Sequence, residues 1–151
     1  MEWKYNRKMS AELYERLLKV EGVTPVIIVH EEIDISLGER VRRINKYVGK
    51  YGAGNCIMIS MHLNAAGRGQ WMNARGWSVW TTVGQNNSDK LATMCYDNMI
   101  KYQDILGKPR KNMSDGDPDW ESNFYIIKGA NCPSILTENL FMDNKEDVKI
   151  L

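Results

Sequence analysis

His62 and Glu138 are the two side chains whose contexts best suit chemistry. Each closes a short apolar run, Cys56–His62 (CIMISMH) and Pro133–Glu138 (PSILTE). A nearly continuous apolar run of this length is the pattern of a strand buried on both faces of a parallel sheet. In open parallel sheets, ligands bind beyond the carboxyl ends of the strands. If both runs are parallel members of one sheet, the imidazole and the carboxylate share one rim. An imidazole there can hold a metal or a proton, and a carboxylate can act as general base. The same spacing also admits a hydrogen-bonded structural histidine and an ion-paired carboxylate. His30, the only other histidine, ends a third run, Thr24–His30. Spacing alone allows a zinc site built from His30, His62 and Glu138. It equally allows a surface histidine beside Glu31 and Glu32.

Other patterns are weaker. Asp115, Asp117 and Asp119 have the spacing that opens a calcium loop. An EF-hand then needs Gly at its sixth position and Glu at its twelfth. Trp120 and Ile126 stand there, so no EF-hand is expected. Gly76-Trp77-Ser78-Val79-Trp80 fails the nucleophile-elbow pattern at its last residue. No phosphate-binding or dinucleotide fingerprint occurs. Trp71, Trp77, Trp80 and Trp120 are candidates for stacking on a sugar ring or for packing. Core packing is the expectation for Trp77 and Trp80, which lie inside a strand pattern.

The elements that must position these residues follow from periodicity. Met9, Leu13, Leu17 and Val20 predict a helix over Met1–Gly22, with Gly22 as its stop. Thr24–His30 reads as a strand. Ser36 and Glu39 form a capping-box pair before a helix to about Tyr51, with Leu37, Val41, Ile44, Val48 and Tyr51 on one stripe. The Cys56–His62 strand comes next. Helix, strand, helix, strand is the order of an α/β chain with a parallel sheet. Further strands are expected at Gly76–Val83, Asn123–Lys128 and Pro133–Glu138, and a helix at Ser88–Leu106. The loops Asn64–Arg75 and Gly107–Glu121 are long enough to carry function. A short helix starts at Asn144.

At 151 residues the chain is the length of a single domain. A net charge of +1 gives no field that would favour nucleic acid or an anionic membrane, and neither is expected as a partner. No apolar run is long enough to span a bilayer. Met1 to Lys8 has no signal-peptide core, and localisation is not read from the sequence. The three cysteines are far apart and form no CxxC pair, so reduced thiols are expected, Cys56 and Cys95 among them buried.

Several stretches go beyond general pattern. Ser60-Met61-His62-Leu63-Asn64-Ala65 resembles the S-x-H-x-N-A signature of zinc-dependent N-acetylmuramoyl-L-alanine amidases of the amidase_3 type. Pro133 to Asn144 is similar to that family's P-x-x-L-x-E-x-x-F-x-x-N motif, carried by Pro133, Leu136, Glu138, Phe141 and Asn144. Asp34, Leu37, Arg40 and Asn45 match its D-x-x-L-x-x-R-x-x-x-x-N run, and Glu2 to Asn6 resembles the acidic start of its first helix.

The resemblance implies a twisted, mostly parallel sheet flanked by helices on both faces. It implies Zn2+ as cofactor, with Glu2 and His62 as ligands and Glu138 as catalytic carboxylate. His30 receives no role. The implied substrate is peptidoglycan, cut at the amide between N-acetylmuramic acid and L-alanine of the stem peptide. Asn64, Trp71 and Trp120 are the candidate substrate contacts. The family's first strand, with its histidine in a P-G-H-G-G turn, would precede Met1. The resemblance therefore implies one catalytic domain over 1–151, incomplete at both ends, with a third ligand upstream. Two other readings stand beside it. One is a zinc-poor cell-wall-binding module without activity. The other is a zinc exopeptidase of similar fold.

Overall fold

A computed structural model describes residues 2–151. The first helix, α1, runs Glu2–Leu17, and Met1 lies outside the described residues. Met9, Leu13 and Leu17 are half-buried along it, as the stripe requires, while Val20 lies past its end and is exposed. α2 spans Leu37–Tyr51, and the Ser36 hydroxyl accepts from the Glu39 amide at its N-terminus. Its central positions, Ile44 and Val48, are buried, whereas Leu37 and Tyr51 at the two ends of the stripe are exposed. After a short 3-10 turn, strand β1 runs Met58–Asn64. Then follow β2 (Ser78–Thr81), α3 (Asn87–Ile100), α4 (Gln103–Leu106) and β3 (Trp120–Glu121). The chain closes with α5 (Tyr125–Gly129), β4 (Ser134–Phe141) and α6 (Lys145–Val148).

The strands form one mixed sheet in the order β1-β4-β2-β3. β1 pairs β4 in parallel, β2 pairs β3 in parallel, and β2 pairs β4 antiparallel. One face is covered by α2 and α5, through Ile44, Val48, Met58, Ile126, Ile127 and Leu136. The other is covered by α3, through Trp77, Val79, Ala92, Tyr96 and Ile135. The expected α/β architecture with helices on both faces is therefore present. Among the described residues no helix is long and apolar enough to cross a membrane. The three cysteines are free and half-buried.

Two expected strands are not strands. Thr24–His30 is irregular. Pro25 lacks an amide hydrogen, and the segment's carbonyls are taken by arginines rather than by a neighbouring strand. Arg7 donates to the carbonyls of His30 (2.9 Å) and Glu31 (2.7 Å), and Arg43 to that of Ile28 (3.0 Å). Asn123–Lys128 also fails as a strand. Tyr125–Gly129 is the helix α5, which lays Ile126 and Ile127 against α2. Short apolar runs are ambiguous between the two states, and packing decided this one. Gly129 matters here, because a Cβ on it would come within 2.9 Å of both Val41 methyl groups of α2. The long helix expected over Ser88–Leu106 is two helices, broken at Lys101–Tyr102.

Motif residues act as polar clamps. Asp34 pairs with Arg40 at 2.8 Å. The Asn45 side chain donates to the Gly129 carbonyl and accepts from the Asn131 amide, both at 2.8 Å, and so fixes the approach to β4. The Asp143 carboxylate accepts from the amides of Ala66 (2.8 Å) and Gly67 (2.7 Å), pinning the loop after β1. Asp147 is fully buried and accepts from the amides of Gly76 (2.8 Å) and Phe141 (3.0 Å), with the Arg75 guanidinium 3.1 Å away. Asp147→Ala would leave two buried amide hydrogens without acceptors. It should cost about 3–5 kcal/mol in urea denaturation. A loss below about 1 kcal/mol would show that water replaces the carboxylate there.

Candidate active site

The β1–β4 pairing builds the site. Met58 to His62 pair residue for residue with Ser134 to Glu138, so His62 and Glu138 are register partners. Paired residues project on the same face, and that face carries Ser60, His62, Leu136 and Glu138. The pairing then slips. The next pair is Asn64 with Phe141, which leaves one extra residue in β4. Leu140, at φ 72°, takes the left-handed conformation inside this bulge. The bulge explains why His62 and Glu138 function as a rim although neither is the last residue of its strand. Regular pairing ends at them.

Glu2, in the first turn of α1, reaches this rim. Its Oε1 lies 3.0 Å from His62 Nδ1 and accepts the Leu63 amide at 3.3 Å. The Asn6 side chain donates to the same oxygen at 3.4 Å. On the other side of the ring, His62 Nε2 lies 3.2 Å from the Ser60 hydroxyl. The imidazole is thus held between a carboxylate and a hydroxyl, which fixes its plane. From the opposite face, the Asn139 amide donates to the His62 carbonyl at 3.2 Å and accepts from Trp77 Nε1 at 3.0 Å. Ser60 and Asn139 were not singled out for roles from sequence. The signal available was their position inside the two motifs.

Glu138 differs from Glu2 in its surroundings. Its Oε2 is buried and has no hydrogen-bond partner. Burial, and then the negative charge of Glu2, push its carboxyl up to about 7. A carboxylate poised near neutrality beside an imidazole and a second acid is equipped to take and return a proton. His62 and Glu2 remain about one-third exposed, at 37% and 35% of the side chain, so solvent can reach them.

The remaining candidates are dispersed. Asn64 spends its side chain on its own turn, accepting the Ala65 amide at 2.8 Å. Trp71 is exposed in the loop after β1, with the Lys145 ammonium 5.9 Å from its ring centre, beside a cleft lined by Met72 and Asn144. Trp120 lies in β3 rather than in a loop. It pairs in register with Trp80, the ring centres 5.4 Å apart, under the Arg110 guanidinium. Its register puts it on the same face as Glu138, on the far edge of the sheet. His30 is exposed and lines a separate cleft with Glu39, Arg42 and Tyr47.

Together these features define a class: an α/β domain whose sheet rim carries an imidazole paired with one carboxylate and in register with a second. The family model for N-acetylmuramoyl-L-alanine amidases (Amidase_3) matches residues 1–151, and the chain belongs to that family. Several solved structures share the fold. An N-acetylmuramoyl-L-alanine amidase from Clostridium difficile 630 superposes with a TM-score of 0.73 at 24% identity, over 93% of this chain and 67% of that one. The amidase AmiC2 of Nostoc punctiforme gives 0.68 at 22% identity, over 94% and 66%. Cwp6 from Clostridium difficile gives 0.67 at 20% identity over 93% of this chain, which spans only 20% of Cwp6. No curated protein sequence matches the chain.

The carboxyl of Glu138 sets a pH signature. Its folded value, about 7, lies above the ordinary 4.5, so the folded state holds an extra proton between those values. The stability contribution is full below about pH 4.5 and is lost as pH rises through about 7. Glu138→Gln does not titrate. In metal-free protein, the melting temperature of the parent should fall relative to Glu138→Gln from about pH 5 to 7, then run parallel to it. A constant difference across that range would place Glu138 among ordinary carboxylates.

Proposed function

We propose that this domain is a zinc-dependent peptidoglycan amidase that hydrolyses the amide between the lactyl group of N-acetylmuramic acid and L-alanine of the stem peptide. The observation that carries the reading is the unpartnered, buried oxygen of Glu138 beside the Glu2–His62 pair. The donor set fits the metal. An imidazole nitrogen and a carboxylate oxygen suit a borderline cation, and they already stand 3.0 Å apart. The other ring nitrogen faces Ser60, the kind of partner that orients a ligating histidine. Glu2 Oε1 and His62 Nδ1 would hold the ion, which when bound supplies Lewis acidity toward the amide carbonyl.

The chain's own residues do the rest. Glu138 takes a proton from the attacking water as its oxygen bonds to the carbonyl carbon. As the C–N bond breaks, Glu138 returns that proton to the departing alanine nitrogen, leaving a lactyl carboxylate and a free peptide amine. Asn139 and Ser60 keep the imidazole in place during the exchange. Trp71 and Trp120 are proposed to contact the glycan or peptide, and Asn64 to shape the loop between them.

One observation favours a second reading, a wall-binding module without turnover. Among the described residues no third metal-ligating side chain converges on Glu2 and His62. A catalytic zinc site ordinarily has three protein ligands. Zinc should therefore bind this chain weakly against a competing chelator, and His62→Ala should abolish what binding there is.

Muropeptide cleavage separates the readings. The amidase releases stem peptides with a new amino-terminal alanine, an exopeptidase releases terminal amino acids, and a binding module releases neither. In a zinc-loaded active form, Glu138→Gln should keep the metal and lose about 10²–10⁴-fold in kcat. Turnover within about twofold of the parent would remove Glu138 from the mechanism.

A further inference from the structure

The loop between α4 and β3 carries the acidic run Asp115, Asp117 and Asp119, which the amidase reading leaves without a role. Its three acids do not act together. Asp115 turns outward and accepts from the Gln85 side chain at 3.0 Å. Asp117 and Asp119 instead meet Asp89, from the first turn of α3, and one carboxylate oxygen of each lies within 4.8 Å of the others. Asp89 and Asp119 are buried, Asp119 at 1% exposure, and Asp117 is partly open to solvent.

Hydrogen bonds account for only part of this set. Asp119 Oδ2 accepts from the Thr81 hydroxyl, Asp117 Oδ2 from Gln85, and Asp89 Oδ2 from the Asn86 amide. Asp117 Oδ1 and Asp119 Oδ1 are buried and accept from no other residue, although the two side chains touch each other. No lysine or arginine forms an ion pair with any of the three among the described residues. Buried carboxylates this close must be neutralised. Without an ion, burial and contact with Asp117 push the Asp119 carboxyl up to about 7, so a proton does the neutralising. Two buried oxygens without donors, in a cluster whose third member is the Asp89 carboxylate, are groups that a cation would neutralise instead.

We propose that Asp89, Asp117 and Asp119 form a site for a hard divalent cation of the calcium class, separate from the His62–Glu138 rim. The donors are all oxygens, which suit calcium and do not suit a metal preferring nitrogen or sulfur. Oxygens up to 4.8 Å apart can lie on opposite sides of an ion with bonds of about 2.3–2.6 Å. The open side of Asp117 admits the water ligands that calcium also needs. The site ties the start of α3 to the long loop and, through Asp119, to Trp120 in the edge strand. It is an ordering device for one border of the sheet face that carries Glu138.

Terbium(III), a calcium substitute excited through nearby Trp120 and Trp80, tests the site directly. The parent protein and His62→Ala should both give saturable terbium emission that excess calcium displaces. Calcium should raise the melting temperature of both. Asp119→Asn and the more exposed Asp117→Asn should each weaken terbium binding about tenfold or more and abolish the calcium shift. In chelator, Asp119→Asn should melt no lower than the parent, since the amide is neutral without taking up a proton and can still accept from Thr81. Absence of saturable emission in the parent, or unchanged affinity in both Asp variants, would overturn the site and leave the acids sharing a proton. Loss of emission in His62→Ala would also overturn it, because the ion would then sit at the rim.

Discussion

The constraint on which the rest depends is the parallel register of β1 on β4. Side chains alternate across a strand, so a slip of one residue would send His62 and Glu138 to opposite faces. The correct register is enforced from below. Met58 and Leu136, on the same face as the site, are buried against α2 and α5. Ile135, one residue out of phase, is buried against α3 on the other face. The apolar core and the site residues therefore share one alternation. The bulge at Leu140 then ends regular pairing at His62 and Glu138. A buried leucine in the left-handed region carries backbone strain of order 1–3 kcal/mol, which its packing must offset.

Around that register, polar clamps add order to the two apolar clusters. Asn45, Asn139, Asp143 and Asp147 each bind backbone groups of a segment distant in sequence. Such contacts satisfy amides and carbonyls that a loop would otherwise leave exposed or orphaned. Asp143, by holding Ala66 and Gly67, fixes the loop at the carboxyl end of β1, just past His62. Sites carried by rigid strands and bordered by loops held in this way combine precise geometry with adaptable edges.

The two acidic centres, one at the β1–β4 rim and one between α3 and the loop before β3, differ in solvent access. At the rim, Glu138 is raised by burial while Glu2 and His62 stay accessible, which suits proton exchange with a substrate. At Asp89, Asp117 and Asp119 the acids are mostly enclosed and lack a nitrogen donor, which suits a fixed neutralising partner. Similar residue types thus give different chemistry according to which neighbours and how much water surround them.

Much of the site was legible in the sequence. His62 and Glu138 end short, nearly continuous apolar runs that read as buried strands, and Ser36 with Glu39 marked the start of α2. The motif resemblance brought in Glu2, which no spacing argument joins to His62 across 60 residues. Tertiary structure decided the rest. Thr24–His30 has strand composition, but arginines of α1 and α2 hold its carbonyls. Tyr125–Gly129 has strand composition too, yet it is a helix because Gly129 and Val41 allow close contact with α2. The roles of Ser60 and Asn139, and the meeting of Asp89 with Asp117 and Asp119, depend on contacts between segments far apart in the chain. Local pattern records what each segment prefers. Which side chains meet is decided only when the sheet's register brings those segments together.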